Sequence, residues 1–170
     1  LGLYTATENE LGAVQRAAQT LDADLVVRSE SDLDDEPAVD SFIEELTDAT
    51  AVILWLHGAE DSMPGYERAV ERLREAGVPL VVKATGDAFA YEDTSVPASH
   101  RETVSDYLEK GGASNVANCL RYLVSQYGET EPAYDDPVAL PTEGVYHPDH
   151  PGASHDELLA TFDAAQPTVA

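Results

Sequence analysis

The sequence predicts an α/β domain built on an open parallel sheet with helices on both faces, followed by an extended proline-rich connector. Three observations lead there. Short apolar runs alternate with amphipathic stretches through the first two-thirds of the chain, the pattern of successive βαβ units. The run Ala51-Val52-Ile53-Leu54-Trp55-Leu56 is apolar at every position, so a strand there must be covered on both faces and lie centrally. After Gly128 the periodicity stops, and Pro132, Pro137, Pro141, Pro148 and Pro151 crowd into a stretch with no helical repeat.

The elements follow in order. Leu1 to Thr5 reads as a strand, and Asn9 to Leu21 as a helix with Leu11, Val14, Ala18 and Leu21 on one stripe. Leu25-Val26-Val27 is a second strand. Pro37 stands near the start of the next helix, where its missing N–H costs nothing, and Val39, Phe42, Ile43 and Leu46 share one face. Ala51 to Leu56 is the third strand. A helix from about Pro64 to Ala76 carries Tyr66, Ala69, Val70 and Leu73 inward and stops at Gly77, a residue suited to the helix C-terminus. Val78 to Thr85 is the fourth strand and Gly86 to Pro97 a polar loop. Ser99 with Glu102 has the spacing of a capping box for a helix to about Glu109. Gly111-Gly112 breaks that helix, and another runs from Ser114 to Tyr127 with Val116, Leu120, Leu123 and Tyr127 on its apolar stripe. Right-handed crossovers leave few ways to connect four such strands, and a flavodoxin-like order is the expectation. The domain is expected over 1–128, with 129–170 a connector leading into a further domain. Asp156 to Phe162 has the pattern of a short helix.

Composition excludes several functions. The 170 residues hold 33 acidic and 9 basic side chains, a formal net charge of −24. Non-specific nucleic-acid binding needs Lys and Arg to neutralise phosphates, and anionic membranes repel such a surface, so neither is a partner. The acids are spread through every segment (Asp22, Glu30, Glu44, Glu71, Glu102, Glu129, Asp156) rather than gathered in a tail. Spread charge points to adaptation to high salt, since concentrated electrolyte screens self-repulsion to within a few ångströms; a local acidic patch for a basic partner or cations is the other reading. The single cysteine, Cys119, excludes an internal disulfide and lies on an apolar helical stripe, as a small buried hydrophobe does. No apolar run has the length of a membrane span and no basic leader precedes one, so a cytoplasmic location is the expectation.

In open α/β sheets ligands bind beyond the carboxyl ends of the strands, here at the loops Thr5 to Glu10, His57 to Ser62 and Thr85 to Tyr91. The first has no glycine and places Glu8 and Glu10 where a phosphate would need bare N–H groups, which disfavours flavin mononucleotide and dinucleotides. No P-loop spacing occurs. His57, Glu60 and Asp61 are the one cluster with metal-coordinating chemistry, imidazole and carboxylates that suit divalent first-row ions. Asp61-Ser62 before Pro64 is also what a helix N-terminus prefers, and capping accounts for both residues without a ligand. His147, His150 and His155 lie in the connector, where His147-Pro148-Asp149-His150-Pro151 has weak metal-binding character. No nucleophile–base pair and no paired catalytic carboxylates can be placed.

Several stretches together resemble the large subunit of cobaltochelatase and the related magnesium chelatase. Tyr107-Leu108-Glu109-Lys110-Gly111-Gly112-Ala113-Ser114-Asn115-Val116-Ala117-Asn118-Cys119-Leu120-Arg121-Tyr122-Leu123 is similar to that family's helix, double glycine, asparagine and helix. Leu140 to Asp149 resembles its following connector, Pro167-Thr168-Val169 the entry to its next domain, and Ala51 to Leu56 with Gly58 its strand and small loop. The resemblance implies ATP-dependent insertion of a divalent metal into a tetrapyrrole, with separate ATPase subunits as partners and this subunit binding tetrapyrrole and metal. ATP, Mg2+ and Co2+ are implied for the complete complex and no cofactor for this stretch, and the catalytic residues are implied to lie in later domains. The acidity and His57 depart from the family pattern. A flavodoxin-like binding module without catalysis is the alternative. A start at Leu1 and an apolar strand opening at Gln166 to Ala170 predict a longer functional unit.

The charge argument has a direct consequence: the fold should be lost when salt is removed. Circular dichroism at molar and millimolar salt reads this, and identical spectra would refute salt adaptation.

Overall fold

A strand apolar on both sides has to be buried on both sides, and β3 (Val52–Trp55) is; all four of its residues are buried. The computed structural model describes residues 1–84 and 89–139, together with Asp156 and Ala160, which are helical. Beside β3 lie β1 (Gly2–Thr5) and β4 (Leu80–Lys83), and β2 (Val26–Ser29) pairs with the far side of β1, all parallel. The order is β2-β1-β3-β4, as expected for a flavodoxin-like sheet. Leu3 is level with Val27 and Ile53, and Ile53 with Val81, so side chains of one face line up across the strands.

That register sorts the core into two layers. Leu3, Ile53 and Val81 pack under α1 (Glu8–Ala18), α5 (Ala98–Lys110) and α6 (Gly112–Tyr127), through Val14, Val104, Tyr107, Leu120 and Leu123 among others. Tyr4, Val52, Leu54, Leu80 and Val82 pack under α2 (Glu36–Thr47) and α3 (Tyr66–Ala76), through Phe42, Ile43, Leu46, Val70 and Leu73. Each fully buried Leu or Ile adds about 1.5–3 kcal/mol relative to exposure. Exposed ion pairs add at most about 1 kcal/mol each, so the two apolar layers hold this fold and its surface charges do not.

The edge of β4 is finished by side chains instead of a fifth strand. Leu80 N donates to Ser95 Oγ at 2.9 Å and Val82 N to Thr94 Oγ1 at 3.0 Å, while Ser95 N returns a bond to Leu80 O at 2.9 Å. A hydroxyl satisfies one amide and cannot propagate a ladder, so the edge is closed to further strands. The stretch expected as a loop from Gly86 to Pro97 contains a short helix, α4 (Phe89–Asp93), and Thr94 Oγ1 also donates to Ala90 O at 2.6 Å.

Element boundaries differ from expectation where a cap lies elsewhere. Helix α1 stops at Ala18 because Thr20 turns back, its Oγ1 donating to Ala17 O at 3.0 Å. The Ser99–Glu102 capping box does not form. Pro97 is the N-cap, its carbonyl accepting from His100 N at 3.0 Å and Arg101 N at 3.1 Å, so Ser99 already lies inside the first turn of α5. Asp35 caps α2 by accepting from Ala38 N at 2.8 Å, with Pro37 in the first turn.

Gly111 and Gly112 both have positive φ, 63° and 79°, and α5 passes into α6 through them with no intervening loop. The tight turn aims Asn115, buried in the first turn of α6, at the chain that returns after Gly128. Its Nδ2 donates to Gly111 O and to Val138 O, each at 2.8 Å, and its Oδ1 accepts from Val138 N at 3.0 Å. The amide thus engages both backbone groups of Val138 as a neighbouring strand would. Tyr107 Oη to Asp135 O at 2.6 Å and Lys110 Nζ to Pro137 O at 3.2 Å fasten the same segment, and the rings of Tyr122 and Tyr134 meet edge to face. The chain divides into a compact unit over Leu1–Val138 and a second over Ala139–Ala170.

Replacing Asn115 by Ala leaves the Val138 N–H and C=O without that partner, a loss of about 1–3 kcal/mol. The expected outcome is a lower urea midpoint and faster proteolytic cleavage within 129–138; a midpoint and cleavage rate equal to the wild type's would show that Asn115 fastens nothing.

Candidate functional site

The strand order reverses between β1 and β3, so the loops leaving their carboxyl ends define the crevice where an open α/β sheet presents a ligand. On the β1 side Thr5 is buried, and its Oγ1 donates to Glu10 Oε2 at 2.8 Å. That bond draws a carboxylate from the first turn of α1 to the end of the strand, the position a phosphate would take. The structure thus supplies the physical reason that this loop is unsuited to flavin or dinucleotide phosphates.

On the β3 side the chain leaves through exposed His57 and through Gly58 into a 3₁₀ turn over Glu60–Ser62. Tyr4 Oη donates to Ser62 O at 2.5 Å and ties this turn back to β1. Burial, with the Glu30 carboxylate adding to it, holds the Tyr4 phenol well above its ordinary pKa, so it stays a neutral donor. Ser62 Oγ is buried without a hydrogen-bond partner. Tyr66 behaves like Tyr4: its Oη donates to Asp93 Oδ2 at 2.8 Å, and burial together with that carboxylate raises its pKa. Asp93 also receives Arg74 Nη2 at 3.3 Å, so this polar contact fixes the end of α4 onto α3.

His57, Glu60 and Asp61 are not brought together as a ligand set. Among the described residues no three His, Cys, Asp or Glu side chains stand close enough to hold a metal ion. Nor do Asp61 and Ser62 cap α3. The 3₁₀ turn closes on itself, with Ser62 N bonding to Ala59 O at 3.1 Å and Met63 N to Glu60 O at 3.2 Å, and the N-cap is Gly65 at φ +75°. A Cβ at Gly65 would also come within 2.5 Å of Val39 Cγ1, so glycine is required there twice over. His147, His150 and His155 fall outside the described residues.

Concavities lined by described residues stand on the surface. An open groove of about 440 Å³ runs past Glu36, Glu60, Asp61, Tyr66, Glu67 and Arg68, and is acidic. A second, of about 320 Å³, lies between α1 and α6 and includes Arg16, Thr20, Asn118 and Arg121. A cavity of about 30 Å³ beside Lys83, Arg101 and Ser105 has room for little more than a water molecule. Sequence reasoning singled out neither Asn115 as a fastener nor the α1–α6 groove. The only signal for the groove is that Arg16 and Arg121 are two of just nine basic residues.

A doubly wound α/β module with an acidic surface, a carboxylate-blocked crevice and a Gly-Gly-x-x-Asn turn is thus the class of protein the structure defines. The family described as CobN/Magnesium Chelatase matches residues 105–170, which include that turn. The aerobic cobaltochelatase subunit CobN of Pseudomonas aeruginosa is 31% identical over 182 aligned positions that take in 100% of this chain. The chain spans about 14% of that relative's length. The catalytic subunit of cobaltochelatase from Mycobacterium tuberculosis superimposes with a TM-score of 0.67 over 86% of this chain and 12% of its own, at 19% identity, and so shares the fold. Residues 105–170 thus resemble the cobaltochelatase and magnesium chelatase large-subunit family, and the likeness to one cobaltochelatase subunit extends over the whole chain.

Cys119 is fully buried in α6, and burial pushes its thiol well above the ordinary range. The thiolate is the reactive form, so native protein at pH 8 should resist a disulfide-exchange reagent that labels it fully in denaturant. Prompt labelling of the native state would show that α6 opens readily.

Proposed function

We propose that this chain serves as the N-terminal domain of the large, tetrapyrrole-binding subunit of an ATP-dependent cobaltochelatase, whose substrates are Co2+ and a corrin precursor in cobalamin biosynthesis. The observation that carries this reading is the alignment of the whole chain with an aerobic cobaltochelatase subunit. The partners it brings are separate ATPase subunits, which use ATP and Mg2+.

Within that assembly the domain acts as a scaffold and docking body. A drug-sized ligand is ordinarily held in a pocket of roughly 300–1,000 Å³ that buries most of its surface. The cavity beside Lys83 is far smaller, at about 30 Å³, and the larger concavities are open grooves. His57, Glu60 and Asp61 form no ligand set, and the reading assigns handling of the metal substrate to other parts of the complete subunit. What this chain supplies is rigidity: two apolar layers, and a chain returning after α6 that is held by Asn115, Tyr107 and Lys110.

Reconstitution tests the reading. A complete large subunit containing this sequence, with ATPase partners, ATP, Mg2+, Co2+ and a corrin precursor, should insert cobalt, followed by the visible absorbance of the ring. The 170-residue chain in its place should insert none, and an antibody against it should detect a native protein far larger than 18.2 kDa. A native band at that size, insertion by the isolated chain, or a complete subunit that metallates a porphyrin with Mg2+ and leaves the corrin empty would each overturn it.

A further inference from the structure

In a chain this acidic a cation without a carboxylate partner is unusual. Arg28, Arg68, Arg72, Arg74, Lys83, Arg101 and Lys110 each have a carboxylate oxygen within 4 Å. Among the described residues, no carboxylate is paired with either of the two remaining Lys or Arg side chains, Arg16 and Arg121. Both line the same groove of about 320 Å³ between α1 and α6.

Arg121 is positioned there by neutral groups. Its Nη2 donates to Thr20 O at 2.8 Å and Thr20 Oγ1 at 3.0 Å, and its Nη1 to Asn118 Oδ1 at 3.3 Å. The guanidinium is thus held in place without an ion pair to a carboxylate among the described residues, which removes much of the ordering cost of binding an anion. Arg16 is exposed on α1 and makes none of these bonds. Ser114 and the Asn118 amide add polar lining, and Ala17, Ala113 and Ala117 are too short to fill the space.

We propose that this groove is a binding site for a carboxylate group, held between the guanidinium groups of Arg16 and Arg121. A planar carboxylate matches the donor fork of a guanidinium, and such charge-assisted bonds are about twice as strong as neutral ones. Asp135 also lines the groove, and its negative charge opposes a dianion such as phosphate more than a single carboxylate. The carboxylate belongs either to a small polycarboxylate or to an acidic peptide segment of a protein. The inference stands independently of the chelatase reading, since it uses only this groove and the pairing of the other cations.

The test is calorimetric titration of the 170-residue chain with tricarballylate, a glutamate-rich peptide and inorganic phosphate, in a carboxylate-free buffer. A carboxylate probe should bind with a Kd of about 1 mM or below, and Arg16→Ala should weaken it about tenfold or more, the loss expected for one charge-assisted bond. Arg16→Ala should leave Tm unchanged, because Arg16 holds nothing in the fold. Arg121→Lys should weaken binding as well, while Arg72→Ala, in an arginine paired with Glu75, should not. Tighter binding of tricarballylate marks a small-molecule site, and tighter binding of the peptide a protein partner. Failure of both carboxylate probes, phosphate binding more tightly than either, or an Arg16→Ala affinity equal to wild type would each overturn the proposal.

Discussion

Strand β3 has to be covered twice, and most of the architecture follows from that requirement. Val52 to Trp55 are buried between β1 and β4 and beneath helices on both faces. A single layer would leave either Ile53 or Leu54 in water, at about 1.5–3 kcal/mol for each such side chain. Covering both faces in turn requires crossovers on both sides, and the reversal of direction after β2 puts α1 with α5 and α6 on one face and α2 with α3 on the other. The strand-order reversal between β1 and β3 is a product of the same winding, so the crevice at their carboxyl ends exists because the sheet is doubly wound.

What fills that crevice is decided by a few short-range bonds. Glu10 is drawn to Thr5, and Tyr4 holds the turn after β3 through Ser62. These contacts place carboxylates on a surface that carries phosphates in other folds of this shape. The Gly-Gly-x-x-Asn turn, which lies within the family match at 105–170, organises structure in a similar way. Asn115 substitutes its amide for a strand, much as Thr94 and Ser95 substitute hydroxyls at the edge of β4. In both places one side chain completes a backbone group and stops further pairing.

The charge distribution has a different logic. Exposed ion pairs such as Arg68 with Glu36 and Arg72 with Glu75 contribute little to stability. They do show that the rare cations are generally neutralised nearby, which is why two arginines in one groove with no ion pair to a carboxylate among the described residues carry information. A net charge of −24 repels anions at long range, so any affinity for a carboxylate in the α1–α6 groove must come from close contact.

Much of this fold was legible in the sequence, because apolar period is a local property. The Val39, Phe42, Ile43, Leu46 stripe, the Tyr66 to Leu73 stripe and the uniformly apolar β3 predict elements, faces and the central strand. The family resemblance was legible too, from residue spacing around Gly111 and Asn115. Caps were less so: Ser99 with Glu102 has the spacing of a box, yet Pro97 starts the helix earlier, and Asp61 loses α3 to Gly65. The candidate site was the least legible. His57, Glu60 and Asp61 are neighbours in sequence whose side chains the turn does not gather into a ligand set. Arg16 and Arg121 are far apart in sequence and meet only when α1 packs on α6. Sequence alone determined which residues must be buried, since hydrophobicity and period travel with the chain. Which polar groups face one another was decided only by tertiary structure, because a hydrogen bond or an unpaired charge depends on distances set by packing between remote segments.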